Sequence, residues 1–169
     1  MEKYLIVVDF QNDFVTGALG TKEARAIEPY VREKIEQRRK EGYDVIFTRD
    51  THFNDYLETQ EGKKLPVPHC IYRTEGWKIV DGLVQPDDDI VNKLTFGYYD
   101  WSRKLNDCSE IELIGLCTDI CIISNALILK AQFPEVPIKV DSKACAGVTV
   151  ESHNAALLTM KMCQIEVEE

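Results

Sequence analysis

The chain has 169 residues, a length that fits one domain spanning residues 1–169 and that can bury a substantial core. Its 44% hydrophobic and 29% charged residues are ordinary for a globular protein, and its net charge of −9 argues against a nucleic-acid partner, which needs a basic face. No apolar run approaches the ~20 residues that a membrane helix needs, so we expect a cytoplasmic protein with reduced cysteines and no membrane partner.

Short apolar runs typical of strands alternate along the chain with longer stretches typical of helices. The predicted strands cover residues 4–8, 43–48, 89–92, 110–116, 138–140 and, more weakly, 164–167. The predicted helices cover residues 22–41, 101–106, 119–132 and 151–162. Alternation of this kind is the signature of parallel βαβ units. We therefore predict an α/β fold with an open, mostly parallel sheet of five or six strands and helices on both faces.

The predicted helices differ in how clearly they show a buried face. A glycine-bearing loop at 15–20 precedes the first long helix, whose apolar face carries Ile27, Val31 and Ile35 and which ends at Gly42. The last helix is expected to bury the face that carries Ala155, Leu158 and Met162. Residues 53–80 show no sustained period, and long irregular connections in compact domains are often functional.

Chemically capable side chains stand where four predicted strands end. Asp9 ends the first strand, Asp50 and His52 follow the second, Lys93 ends the third, and Cys117 and Cys121 follow the fourth. Carboxyl ends of parallel strands share one edge of a sheet, which is where open α/β folds bind ligands. Each residue alone has an ordinary structural explanation, but together they predict a site.

Two thiols compete for the role of nucleophile. Thr118 is a candidate N-cap, which would place Cys121 in the first helical turn, where the helix dipole and free N–H groups favour a thiolate. The same N–H groups could hold an oxyanion. Free cysteines are more often small buried hydrophobic residues, and the residue pattern leaves Cys117 and Cys121 both open.

The carboxylate and the lysine form a candidate acid–base pair. Asp9 follows a fully buried strand pattern, so we expect a raised pKa and a role as general base, or else a simple turn cap. Lys93 lies among apolar neighbours and could pair with Asp9, or extend its head to water. His153 is expected to be structural.

A second group of residues has the composition of a metal site. Asp50 and His52 alternate on an extended segment and point the same way, and His69 lies on the irregular segment that could fold over them. Glu58 or Glu61 could supply another oxygen. Two imidazoles and carboxylates suit one divalent metal ion, zinc first, with manganese or iron as alternatives.

Four segments together resemble a known family. They are V-V-D-F-Q-N-D-F at 7–14, T-R-D-T-H at 48–52, P-V-P-H-C at 66–70 and G-L-C-T-D-I-C at 115–121. In this order, and over nearly the whole chain, they resemble the isochorismatase-like cysteine hydrolases, and within them the nicotinamidase/pyrazinamidase branch. The resemblance implies a three-layer sandwich around the predicted sheet.

The resemblance also assigns roles to residues. It implies a catalytic triad of Asp9 as base, Lys93 as its partner and Cys121 as nucleophile, because Cys121 closes the family's G-L-x-T-D-x-C pattern. It implies a cis peptide bond before Cys117 and an oxyanion hole made by the N–H groups of Cys117 and Cys121. It further implies metal ligands at Asp50, His52 and His69, with Glu61 as our choice of fourth ligand. It also places Phe14 in the ring pocket.

Two positions depart from the family pattern and bear on the substrate. Pro66 stands where the family often has tryptophan, and Arg73 replaces a small residue. We expect an amidohydrolase that converts nicotinamide, or a close aromatic carboxamide, to the acid and ammonia through a cysteine thioester. The alternatives are a related hydrolase of ureido, carbamoyl or other small amides, and a metal-binding or thiol redox-sensing protein. A homo-oligomer is expected by analogy with the family.

Overall fold

The protein is built around one parallel sheet of six strands, seen in a computed structural model that describes residues 1–169. The strands are β1 (Glu2–Val8), β2 (Asp44–Asp50), β3 (Asp89–Lys93), β4 (Cys108–Leu116), β5 (Ile138–Ala146) and β6 (Glu166–Glu168). They lie in the order β3-β2-β1-β4-β5-β6, and every neighbouring pair is parallel. The predicted α/β fold is confirmed.

Helices cover both faces of this sheet. They are α1 (Asn12–Val15), α2 (Lys22–Lys40), α3 (Gln60–Lys64), α4 (Trp101–Lys104), α5 (Ile123–Gln132) and α6 (Val150–Met162). A 3₁₀ turn covers Tyr56–Glu58, and a π-helical segment, Thr118–Ile122, leads directly into α5. No helix has both the length and the apolar character needed to cross a bilayer.

Two hydrophobic clusters, one on each face, fix the sheet between the helices. Because strand side chains alternate between faces, Leu5 and Val7 of β1 join the cluster beneath α2, and Ile6 and Val8 join the cluster beneath α5 and α6. Both faces of β1 are therefore dry, which explains its uninterrupted apolar run. The central position of β1 delivers Asp9 to the middle of the sheet edge.

Helix α2 carries a buried charge that the periodicity does not predict. Thr21 caps its first turn, Val31 and Ile35 are buried, and Gly42 follows its end with φ of +81°. Between those apolar residues Lys34 Nζ lies 2.9 Å from Glu112 and 2.8 Å from Asp141, all three being buried. Asp141 lies within β5, the strand predicted to end at residue 140, which in fact extends to Ala146.

The face predicted for the last helix is wrong. Leu158 and Met162 are 63% and 77% exposed, whereas Ala156 and Met160 are buried. Apolar residues occur all round α6, so spacing alone does not choose a face. The choice follows from packing of α6 against α5 and the π-helical segment.

Candidate active site

The carboxyl ends of β1 to β4 bring the predicted residues to one edge of the sheet. Asp9 follows β1, Asp50 and Lys93 are the last residues of β2 and β3, and Cys117 follows β4. Asp50 and Lys93 are register partners in the β2–β3 pair. Asp9, Asp50, Lys93 and Cys121 are all buried. Such a concentration of polar groups under cover is costly unless they satisfy one another.

Asp9 is held from two sides. Thr48 Oγ1 donates a 2.6 Å hydrogen bond to Asp9 Oδ1 and accepts one of 3.1 Å from the Asp9 N–H. Lys93 Nζ lies 2.5 Å from the other carboxylate oxygen, Oδ2. The backbone of Asp9 has φ of +46°, an uncommon value for a residue with a side chain. Burial raises the pKa of Asp9, and the charge of Lys93 offsets part of that rise.

Lys93 is the central cation of the site. Besides Asp9, its Nζ lies 3.5 Å from Cys121 Sγ and 3.6 Å from Asp50 Oδ1, and it donates to the Thr95 carbonyl at 3.2 Å. Burial alone would lower its pKa, but the neighbouring negative groups, Asp9 first, raise it. Lys93 is therefore a fixed ammonium between the carboxylate and the thiol.

Cys121 lies in the π-helical segment, and its environment differs from the predicted helix start. Burial raises the pKa of the Cys121 thiol well above its usual value; the charge of Lys93 opposes this, and hydrogen bonding with Asp9 adds to it. The expected thiolate-favouring environment is therefore outweighed by burial. The resting residue is a thiol that needs a base to activate it.

Thr118 is not the cap that the sequence suggests. The segment begins at Thr118 itself, after Cys117, and no side chain caps it. Thr118 Oγ1 instead hydrogen-bonds to His153 Nδ1 at 2.7 Å. His153, at the start of α6, thus has the structural kind of contact that the sequence predicts, and it ties α6 to the turn that carries Cys121.

The turn between β4 and that segment has the backbone form that the resemblance implies. The Leu116–Cys117 peptide bond is cis. Cys117 is half-buried beside Cys121, and both residues line the cavity described below. Their N–H groups as an oxyanion hole stay a prediction.

Four side chains form a compact group of the metal-binding kind. Ligand atoms of Asp50, His52, Glu61 and His69 all lie within 4.8 Å of one another. His52 Nε2 is 2.9 Å from Asp50 Oδ2, and His69 Nε2 is 3.6 Å from the same oxygen. The structure brings Glu61, on α3, into this group rather than Glu58.

The protonation pattern of this group suits a cation. His69 Nδ1 donates to the Val67 carbonyl at 2.8 Å, which leaves Nε2 free to ligate. Burial would raise the pKa of Asp50, but the neighbouring imidazoles of His52 and His69 and the charge of Lys93 lower it. Two imidazoles and two carboxylates within this span fit one divalent metal ion.

A cavity of about 600 Å³ opens onto both groups. Besides the chemically capable residues, its walls are largely apolar and include Phe14, Leu19, Leu65, Leu94, Phe96, Ile120 and Val148. Phe14 packs its ring edge-on against His69 at 5.5 Å between centroids. Neither Pro66 nor Arg73 lines the cavity, and both are exposed. The two departures from the family pattern therefore do not touch the wall.

One functional contact escapes sequence reasoning. Thr48 reads as part of an apolar strand run, yet its buried hydroxyl supports Asp9 from the neighbouring strand. Only the pairing of β1 with β2 could reveal this contact, since the two residues are 39 positions apart.

The family model of the isochorismatase domain matches residues 3–168 of the chain. The chain belongs to the isochorismatase family. It is similar to the nicotinamidase of Schizosaccharomyces pombe, with 27% identity over an alignment 205 positions long, gaps included, that covers 96% of this chain and 91% of that protein.

Solved structures of the family agree with the fold described above. The nicotinamidase/pyrazinamidase PncA of Bacillus subtilis has a TM-score of 0.88 at 28% identity and covers 100% of both chains. The pyrazinamidase of Pyrococcus horikoshii, determined in complex with zinc, has a TM-score of 0.87 at 26% identity and covers 100% of this chain and 99% of that one. Within the isochorismatase family, the chain is a hydrolase of the nicotinamidase/pyrazinamidase branch.

Proposed function

We propose that the protein is a cysteine amidohydrolase that converts nicotinamide, or a close aromatic carboxamide, to the carboxylic acid and ammonia. The observation that carries this proposal is the position of Lys93 Nζ, 2.5 Å from Asp9 and 3.5 Å from the Sγ of Cys121, a residue that lines a largely apolar cavity. A base, a fixed cation and a thiol in mutual contact are the parts of covalent amide hydrolysis.

In the first half-reaction Asp9 accepts the proton of the Cys121 thiol, and the sulfur attacks the amide carbonyl carbon. The raised pKa of Asp9 makes this carboxylate a competent base for a buried thiol. The C–N bond then breaks, Asp9 returns the proton to the departing nitrogen, and ammonia leaves. The acyl group stays on Cys121 as a thioester.

In the second half-reaction water hydrolyses the thioester. Asp9 removes a proton from the attacking water, the C–S bond breaks, and the proton returns to the sulfur. Lys93 keeps its charge throughout and stabilises Asp9 in its ionised form. The N–H groups of Cys117 and Cys121 are our choice of donors to the oxyanion formed in both half-reactions.

One divalent metal ion, zinc first, is proposed for the group of Asp50, His52, Glu61 and His69. The chemistry of the donor set and the zinc complex of the Pyrococcus horikoshii relative support it. When bound, the ion supplies a Lewis acid for the ring nitrogen of a pyridine substrate. Phe14, stacked edge-on beside His69, lines the space where that ring would lie.

The test is ammonia release from nicotinamide by the wild type, Cys121→Ala and Cys117→Ala. Cys117 is the matched control because its thiol lines the same cavity while only its backbone has a proposed role. We expect loss of activity in Cys121→Ala, trapping of a thioester on Cys121 in the wild type, and retained activity in Cys117→Ala. Equal activity of wild type and Cys121→Ala would refute the assignment of the nucleophile.

A substrate panel tests the amide itself. Pro66 and Arg73, the two departures from the family pattern, lie outside the cavity and therefore give no support to a ureido or carbamoyl substrate. We expect nicotinamide and pyrazinamide to have higher kcat/KM than any ureido compound. A higher kcat/KM for a ureido compound would refute nicotinamide as the substrate but would not contradict the proposed role of the Cys121 thiol. The homo-oligomer stays a prediction, and light scattering of the purified chain tests it.

A further inference from the structure

Gln11 is a buried residue whose side chain makes three hydrogen bonds to backbone groups. Its Nε2 donates to the carbonyls of Asp50 and Trp77, both at 2.9 Å, and its Oε1 accepts from the Asp50 N–H at 2.7 Å. Strand β1 ends at Val8, so no β1 residue pairs with the backbone of Asp50 on the neighbouring strand β2. The Gln11 side chain makes the backbone hydrogen bonds to Asp50 that a longer β1 would make. It thereby fixes the backbone of one proposed metal ligand.

Asp13 fixes the other half of the metal group. Its Oδ2 accepts a 2.7 Å hydrogen bond from the N–H of Cys70, the residue after His69. The Cys70 carbonyl accepts from the His52 N–H at 3.0 Å, and the backbone of Cys70 has φ of +47°. A Cβ at Gly76 would approach the Asp13 carboxylate to 2.1 Å, so glycine leaves the space that this carboxylate occupies.

The two halves of the group come from distant segments. Asp50 ends β2 and His52 follows two residues later, whereas Glu61 lies on α3 and His69 lies in the loop after α3. Asp9, Gln11 and Asp13 lie at alternate positions on the exit of β1. Asp9 belongs to the reacting group, Gln11 bonds to the backbone of Asp50 in the first half, and Asp13 bonds to the N–H of Cys70, next to His69 of the second half.

We propose that Gln11 and Asp13 are positioning residues that set the distance between the two halves of the metal group. The inference rests on the proposed function, since it assumes that this group binds a metal. Groups that orient metal ligands typically contribute 10–100-fold to metal affinity. The expected effect is therefore on affinity for the metal first and on turnover second.

The experiment measures zinc affinity of the purified full chain by competition with a chelating dye, and thermal unfolding of the metal-free protein. The variants are Gln11→Ala, Asp13→Ala and Asp13→Asn, with Asn12→Ala as matched control. Asn12 lies between the two residues, and its side chain donates to the Glu75 carbonyl rather than to either half of the group. If Gln11→Ala does not fold, Gln11→Glu replaces it, because it keeps the acceptor for the Asp50 N–H.

We expect Asp13→Ala and the Gln11 variant to weaken zinc binding by about 10–100-fold. Asn12→Ala should keep wild-type affinity, and Asp13→Asn should regain most of it, because the amide oxygen can still accept from Cys70. In a His69→Ala background Asp13→Ala should cost little more, since it acts through His69.

Two results would overturn the proposal, and they differ. Wild-type zinc affinity in both Asp13→Ala and the Gln11 variant, in a chain whose affinity His69→Ala reduces, would refute the positioning roles and leave the metal group standing. Absence of zinc binding by the wild type would refute the metal group and the positioning roles together. Turnover of nicotinamide adds a third readout, in which KM should rise more than kcat falls.

Discussion

Replacing Thr48 by valine removes the hydroxyl that supports Asp9 and changes the shape of the side chain little. The lost bond to the carboxylate contributes about 1.5–3 kcal/mol and the lost bond from the Asp9 N–H about 0.5–1.5 kcal/mol. Both groups are buried, so water does not replace the partner. We expect the free energy of unfolding to fall by about 2–4.5 kcal/mol.

The same change should move the pH dependence of activity in a known direction. The Thr48 hydroxyl donates to the charged form of Asp9 and so lowers the pKa of that carboxyl, against the rise caused by burial. Without it the pKa of Asp9 rises. Because Asp9 must be ionised to accept the thiol proton, the acidic limb of the kcat/KM profile for nicotinamide should move to higher pH.

Urea denaturation and the pH profile measure the two effects separately. Thr48→Ser is the control, because it keeps the hydroxyl and should keep the acidic limb of the wild type. If Thr48→Val shows the expected decrease in the free energy of unfolding but keeps the acidic limb of the wild-type pH profile, Asp9 is not the titrating base. Unchanged stability would mean that the two hydrogen bonds contribute nothing.

Three further predictions concern stability. Lys34→Met should lower the free energy of unfolding in urea by about 3–5 kcal/mol, because it leaves the Asp141 carboxylate buried without its cation and removes one of the two cations that contact Glu112, the other being Arg38. Removing the metal with a chelator should lower the melting temperature. Zinc added back at 100 times its Kd should raise the free energy of unfolding by about 2.7 kcal/mol, whereas magnesium should not raise it. Gly115→Ala should cost about 2–4 kcal/mol, since its φ is +118° and an added Cβ would lie 2.1 Å from the Val8 carbonyl oxygen; Gly42→Ala, in open space, should cost less.

The sheet and the meeting of the strand ends could be predicted because both depend on local pattern. A buried strand such as β1 shows a continuous apolar run, and parallel pairing then brings Asp9, Asp50 and Lys93 to one edge whatever the loops do. The residue pattern could offer His69 only as a candidate partner of Asp50 and His52, because residues 53–80 have no period that fixes their path, and the family resemblance then assigned it to the metal group.

What escaped prediction depends on contacts between distant segments. Lys34 interrupts the apolar face of α2, and nothing in the neighbouring sequence indicates that it forms ion pairs with Glu112 and Asp141. The buried face of α6 is determined by the elements that pack against it, because α6 carries apolar residues on all of its sides. The raised pKa of the Cys121 thiol follows from the depth of the site, and the helix start that favours a thiolate does not reveal that depth.

Lys93 gives the base and the metal group one shared counter-ion. Its ammonium lies 2.5 Å from Asp9 and 3.6 Å from Asp50, so the two carboxylates compete for a single positive charge. Loss of the metal charge beside Asp50 would strengthen the attraction between Asp50 and Lys93, raise the pKa of Asp9 and leave more of this base protonated. The two groups are therefore coupled through one ammonium, and a neutral residue in place of Asp50 would free Lys93 for Asp9 alone.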